Sequence, residues 1–140
     1  MHIPKIEFSG LDISSFDTVI DVRSPAEFNE DHISQSVNLP VLSDEERALV
    51  GKIYKQESRF KARKIGASLI AQNTAKYLIR DLFSKDRGWR PLIYCWRGGQ
   101  RSAAFATILS EIGWRPTLIC GGYKNYRSEV TKLMHQNQNH

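Results

Sequence analysis

One stretch of the chain combines residue types that could do covalent chemistry: Cys95-Trp96-Arg97-Gly98-Gly99-Gln100-Arg101-Ser102. The thiolate is the nucleophilic form of cysteine. Two glycines in a short loop let backbone N–H groups converge on one point, and a helix starting just after them adds partial positive charge, so the segment Trp96 to Ser102 reads as an anion cradle. With Arg97 and Arg101 beside it, the same field favours the thiolate of Cys95. The chemistry implied is a covalent nucleophile next to a bound oxyanion. Neither Cys95 nor Cys120 belongs to a C-x-x-C pair or has a His at zinc-finger spacing, so no metal site is expected.

The residues around this loop carry alternatives. Arg101 can point its planar fork into the cradle or pair with a carboxylate such as Asp21 or Glu27. Arg97 lies in the loop and suits a substrate phosphate, while Trp96 can stack on a base or serve as a wall. Ser102 most simply caps the following helix, though its hydroxyl could instead reach the Cys95 sulfur. Asp21 and Arg23, at a strand end, read as supporting scaffold, and His32 as structural rather than as a base. Gly121 and Gly122 let the chain pass close to the loop, which is a simpler role than a resolving thiol at the neighbouring Cys120. Lys52, Lys55, Arg59, Lys61, Arg63 and Lys64 form a basic set that is either an RNA footprint or a solvated helix face.

The elements that must position these residues follow from local pattern. Thr18 to Val22 is a β-branched run, and Ser24-Pro25 after it opens a helical turn over Ala26 to Asn29. A second short strand, Ser36 to Leu39, stops at Pro40. Ser43 with Glu46 three residues on is a capping box, predicting a helix to about Tyr54. From Ser58 the apolar spacing of Ile65, Leu69, Leu78 and Leu82 predicts another helix, weakened at Gly66 and with its region closed by Gly88. Pro91 to Cys95 and Pro116 to Cys120 are continuous apolar runs of strand length, as in parallel strands covered on both faces. Between them Ser102 to Ile112 is helical in pattern, closed by Gly113. Strand, helix, strand makes a βαβ unit, so the fold class is α/β with a central parallel sheet flanked by helices. One domain fills residues 1–140, with an unpacked tail from about Met134.

Composition sets the outer limits. The 140 residues, 41% hydrophobic and 25% charged, suffice for a core without staples, which excludes disorder and a disulfide scaffold. The amino terminus has no apolar h-region and no apolar run approaches membrane length, so a cytoplasmic protein in a reducing compartment is expected, with no membrane partner. The net charge of +5 raises the prospect of a nucleic-acid partner only slightly.

Asp21-Val22-Arg23-Ser24-Pro25-Ala26-Glu27-Phe28, Asp31-His32-Ile33, Val37 to Pro40, the Cys95 loop and Gly121-Gly122-Tyr123-Lys124 resemble, in order, the signatures of a rhodanese domain. Leu42 to Arg47, Ala62 to Ala67 and Tyr94 to Gly99 resemble, more narrowly, the amino-terminal domain of the tRNA 2-selenouridine synthases. That resemblance implies a rhodanese-like three-layer fold and a transferase that replaces sulfur by selenium in 2-thiouridine at the tRNA wobble position. Cys95 would carry the chalcogen as a persulfide or perselenide. The implied partners are tRNA and selenophosphate as selenium donor, with no bound cofactor. The family's carboxyl-terminal P-loop domain is expected to be missing here, since no G-x-x-x-x-G-K-[ST] occurs; full turnover would then need more than this chain, and most tRNA contact would lie in that domain. Two other functions compete. Five residues separate Cys95 from Arg101, as in a C-x5-R phosphatase, but Tyr94 precedes the cysteine and no carboxylic acid in the loop can protonate a leaving group. The other is a non-catalytic rhodanese-like binding module.

Overall fold

Side chains alternate across a strand, and three strands of this chain use both faces of one sheet. In the computed structural model, which describes residues 2–97 and 99–138, the strands are β1 (Lys5–Ile6), β2 (Thr18–Asp21), β3 (Val37–Asn38), β4 (Pro91–Tyr94) and β5 (Thr117–Ile119). They form a single parallel sheet in the order β1-β5-β4-β2-β3. The helices are α1 (Pro25–Glu30), α2 (Asp44–Gln56), α3 (Arg59–Arg80), α4 (Gln100–Ile112) and α5 (Gly122–Gln138). On one face Ile20, Ile93, Cys95 and Leu118 pack with Ile70, Phe105 and Leu109 from α3 and α4. On the other, Val19, Leu92, Tyr94 and Ile119 pack with Ile33 and Tyr123. Helices therefore cover both faces, giving the three-layer α/β arrangement expected. Each large side chain so enclosed contributes on the order of 1.5–3 kcal/mol.

Local rules explain most boundaries. The Ser43 hydroxyl accepts the Glu46 N–H at 3.1 Å and the Glu46 carboxylate accepts the Ser43 N–H at 2.8 Å, which starts α2 as anticipated. Gly113 takes φ +123° after α4, the left-handed geometry that favours glycine at a helix end. Gly66 does not interrupt α3, which runs unbroken through it. A β-carbon there would meet Val50 of α2 at 3.6 Å, so the missing side chain marks close helix packing and not a break. α3 ends at Arg80, well before Gly88, because the chain turns at residues 81–84. Two features were not anticipated. β1 exists only as a partner of β5, and α5 carries helix through the segment read as an unpacked tail, to Gln138, with Leu133 and Met134 exposed. No described helix is long and apolar enough to cross a membrane.

Candidate active site

Alternation along β4 decides where the nucleophile points. Leu92 and Tyr94 face α5, whereas Ile93 and Cys95 face α3 and α4. Cys95 thus ends the strand beneath the first turn of α4, and the residue is only 3% exposed. Its Sγ accepts the Gly99 N–H at 3.2 Å and lies 3.0 Å from the Ser102 hydroxyl. A ring of amides was expected. Among the described residues one amide reaches the sulfur, joined by one hydroxyl, and Gly98 lies outside the described residues. Ser102 is fully buried, and α4 has no side-chain cap at Gly99. The hydroxyl therefore does not cap the helix, as the simplest sequence rule suggests; the third residue of the helix points back under the loop, where its one proton can go to the Gly99 carbonyl, 3.3 Å away, or to the sulfur.

The turn after β5 holds the loop from behind. Gly121 and Gly122 adopt φ of +76° and +58°, and the Tyr123 and Lys124 N–H groups then donate to the Cys95 and Trp96 carbonyls at 2.7 and 2.8 Å. Because a trans peptide directs its N–H opposite to its C=O, the Trp96 and Arg97 amides turn away from α5. A β-carbon at Gly121 would lie 2.9 Å from that of Asn125, whose amide donates to the Cys120 carbonyl, so this close passage needs glycine. Cys120 and Cys95 are both free thiols.

The cations divide into two roles. Arg101 does not enter the cradle: its Nη1 is 2.8 Å from Glu27 Oε1 of α1, which settles the alternative in favour of a carboxylate, and Glu27 rather than Asp21. Arg47 of α2 stands 3.4 Å from the same oxygen. Burial pushes the Glu27 carboxyl up, but the bond and charge of Arg101, with bonds from the Ser24 N–H and hydroxyl, outweigh it and hold the group at about 2. Arg23 binds Asp21 with Nη2 to Oδ2 at 2.8 Å, donates to the Asp31 carbonyl at 2.7 Å, and lies 4.0 Å from the centre of the Tyr123 ring. Both partners are buried, as scaffold residues would be. His32 stacks on Phe28 with its Nδ1 2.8 Å from the Phe28 carbonyl, a structural placement. Arg97 and Gln100 are exposed.

Beside the loop is a pocket of about 280 Å³, with Trp96, Tyr123, Arg23, Glu27, Asp31 and Arg47 in its lining. Trp96 is half-buried against Tyr123, ring centres 5.6 Å apart, so it serves as a wall of this pocket. The Tyr123 hydroxyl donates to Asp31, and this bond is the chief cause holding the Asp31 carboxyl below its ordinary value. Asp31, Arg47 and Tyr123 were not singled out as site residues from sequence. The signal for each was its place in a stretch that carries the resemblance: Asp31 in Asp31-His32-Ile33, Arg47 at the end of Leu42 to Arg47, and Tyr123 directly after Gly121-Gly122.

Comparison with known proteins agrees with this architecture. The rhodanese-like domain family matches residues 9–129. A tRNA 2-selenouridine synthase of Nitrosomonas europaea is 40% identical over 110 residues, 78% of this chain and 29% of its own length. One from Shewanella denitrificans is 33% identical over 94% of this chain and 36% of its own length, so the chain spans about a third of these curated relatives. Among solved structures, the N-terminal domain of a putative ATP/GTP binding protein from Clostridium difficile 630 superposes with a TM-score of 0.75 at 32% identity, covering 90% of this chain and 98% of that one. A rhodanese-related protein from Thermoplasma volcanium shares the fold at 22% identity, with a TM-score of 0.57 over 90% of this chain and 92% of that one. The sheet order, the loop after β4 and these matches together place the chain in the rhodanese-like domain family, homologous over most of its length to tRNA 2-selenouridine synthases.

Proposed function

We propose that this chain is the chalcogen-handling domain of a tRNA 2-selenouridine synthase, with Cys95 as the atom that accepts and passes on sulfur or selenium. The observation that carries the reading is the convergence of the Gly99 N–H and the Ser102 hydroxyl on Cys95 Sγ at the amino end of α4. The Gly99 N–H, a hydroxyl able to turn its one proton from the Gly99 carbonyl to the sulfur, and a helix dipole suit an anionic sulfur. The Trp96 and Arg97 amides, turned away from α5, and the exposed Arg97 add donors for the oxyanion of a donor molecule.

In the first step the Cys95 thiolate attacks the outer sulfur of a sulfane donor such as thiosulfate. The Sγ–S bond forms, the donor's S–S bond breaks, and sulfite leaves with the electron pair, so the enzyme holds a persulfide. Selenophosphate carries selenium at the selenide level: water cleaves its P–Se bond to phosphate and hydroselenide. Attack of hydroselenide on Sγ expels hydrosulfide and leaves a perselenide, with no oxidant required. Replacement of sulfur in 2-thiouridine at the wobble position belongs to the whole enzyme, with tRNA as partner. Arg101, spent on Glu27, is not free to clamp a phosphoryl group as a C-x5-R phosphatase requires.

Intact-mass measurement after exposure to thiosulfate tests the proposal. One added sulfur, removed by dithiothreitol and absent from Cys95→Ser, is the expected result. An unmodified chain, or an adduct retained in Cys95→Ser, overturns it in favour of the binding module.

A further inference from the structure

The positive charge of this protein is concentrated in one element. α3 carries Arg59, Lys61, Arg63, Lys64, Lys76 and Arg80 and no Asp or Glu, against +5 for the whole chain, so the remainder is close to neutral. All six are exposed. Lys61 is paired with Glu57 and Arg80 with Asp81. Arg59, Arg63 and Lys64 have no carboxylate within ion-pair distance among the described residues. Two of them lie over aromatic rings instead: Arg59 is 5.4 Å from the centre of Tyr54 and Lys64 5.2 Å from that of Phe60. Those rings are themselves exposed, 49% and 64%.

Tyr54, Arg59 and Arg63 border a cleft of about 720 Å³ between α2, α3 and α4, floored by apolar side chains such as Leu42, Val50 and Ile70, while Phe60 and Lys64 stand beside them on the same turn of α3, outside its lining. Tyr54, Arg59 and Arg63 stand on one side, and Gln100 and Arg101 on the other. The α4 wall of the cleft runs from Thr107 to Gln100, so one end of it opens directly beside the Cys95 loop. Exposed flat rings interleaved with cations suit a chain of stacked bases joined by phosphates, each phosphate exchanging counterions for a side chain. An acidic protein segment would use the cations but leave Tyr54 and Phe60 without purpose.

We infer that the basic start of α3 and the α2–α3–α4 cleft form a docking surface for single-stranded RNA that leads the nucleic acid to the Cys95 loop. The inference rests on the tRNA reading above and names the surface it uses. Anisotropy with a fluorescein-labelled anticodon stem–loop RNA, over a series of salt concentrations, tests it. Arg59→Ala/Arg63→Ala/Lys64→Ala is expected to weaken binding about tenfold or more and to flatten the log–log salt slope by about 2. Phe60→Ala is expected to weaken it about fivefold with the slope unchanged. A control, Lys5→Ala/Arg87→Ala/Arg115→Ala, removes the same charge from exposed sites elsewhere and should lose far less. Equal loss in both triples overturns the surface, as does full binding in the first. Binding insensitive to Phe60→Ala and displaced equally well by polyglutamate overturns it in favour of an acidic protein. Loading of Cys95 by thiosulfate is read on the same samples. A wild type that loads Cys95 but binds RNA no more tightly than the basic triple removes the surface alone. A wild type that binds through α3 but never loads Cys95 removes the transfer reading alone.

Discussion

Two arginine–carboxylate pairs stand at the carboxyl edge of the sheet, and they are built for different purposes. Arg23 and Asp21 are 2% and 0% exposed, two residues apart where β2 ends, and the guanidinium is further held by the Asp31 carbonyl and by the Tyr123 ring. Arg101 and Glu27 are 19% and 11% exposed and 74 residues apart, and Glu27 also receives Arg47 from α2 and both donors of Ser24. The first pair is sealed inside the scaffold and fixes the backbone between β2 and α1. The second joins three separate helices at the rim of the pocket and holds the start of α4, where the Cys95 loop ends. Burial, more than charge, separates a structural pair from one that can tune a site.

Breaking the buried pair should have the largest effect. Asp21→Asn keeps the shape but leaves the Arg23 charge enclosed without its carboxylate, so a loss on the order of 3–5 kcal/mol is expected in urea unfolding followed by circular dichroism. The comparison fails if Asp21→Asn costs less than the corresponding change at Glu27.

Glu27→Gln should cost less, roughly 2–3 kcal/mol at neutral pH, and should depend on pH in a defined way. The folded-state carboxyl is held at about 2 against an ordinary 4.5, so its stabilisation is complete above 4.5 and is lost as pH falls toward 2. The gap between wild type and Glu27→Gln should therefore close over that window. Asp31 and Glu46, also held below their ordinary values, lose stabilisation in both proteins and cancel in the difference. A gap that stays constant between pH 5 and pH 2, roughly the span of the shift, would show that the charge on Glu27 contributes nothing.

How much of this was legible in sequence depended on how far apart the interacting residues lie. The capping box at Ser43 and Glu46 and the stop at Gly113 are decided within four residues, and both were readable. The strands β2, β4 and β5 announced themselves as apolar runs because both faces of the sheet are covered. β1 could not, since two residues become a strand only when Lys5 and Ile6 pair with Leu118 and Ile119. The partner of Arg101 was open for the same reason: a contact spanning 74 residues leaves no local trace. The Tyr123–Asp31 bond spans 92 and went unnoticed. At Ser102 the local rule pointed to a cap, and tertiary structure set the hydroxyl against Cys95 instead.

That last substitution of roles gives the smallest expected effect on stability and the sharpest on chemistry. Ser102 follows Arg101 in the same helical turn, so Ser102→Ala leaves the clamp to Glu27 intact and removes only the hydroxyl 3.0 Å from Sγ. The Gly99 carbonyl keeps its backbone bond to Ala103, so unfolding should lose no more than about 1 kcal/mol. The sulfur, left with the Gly99 N–H alone among its described donors, should react about three- to tenfold more slowly with iodoacetamide at neutral pH, the loss of one hydrogen bond to the anionic form. Glu27→Gln in the same assay loosens the helix without touching the sulfur, so its rate should change less than that of Ser102→Ala even though its stability changes more. Rates that simply track stability across the two variants would show that the hydroxyl serves the fold and not the nucleophile.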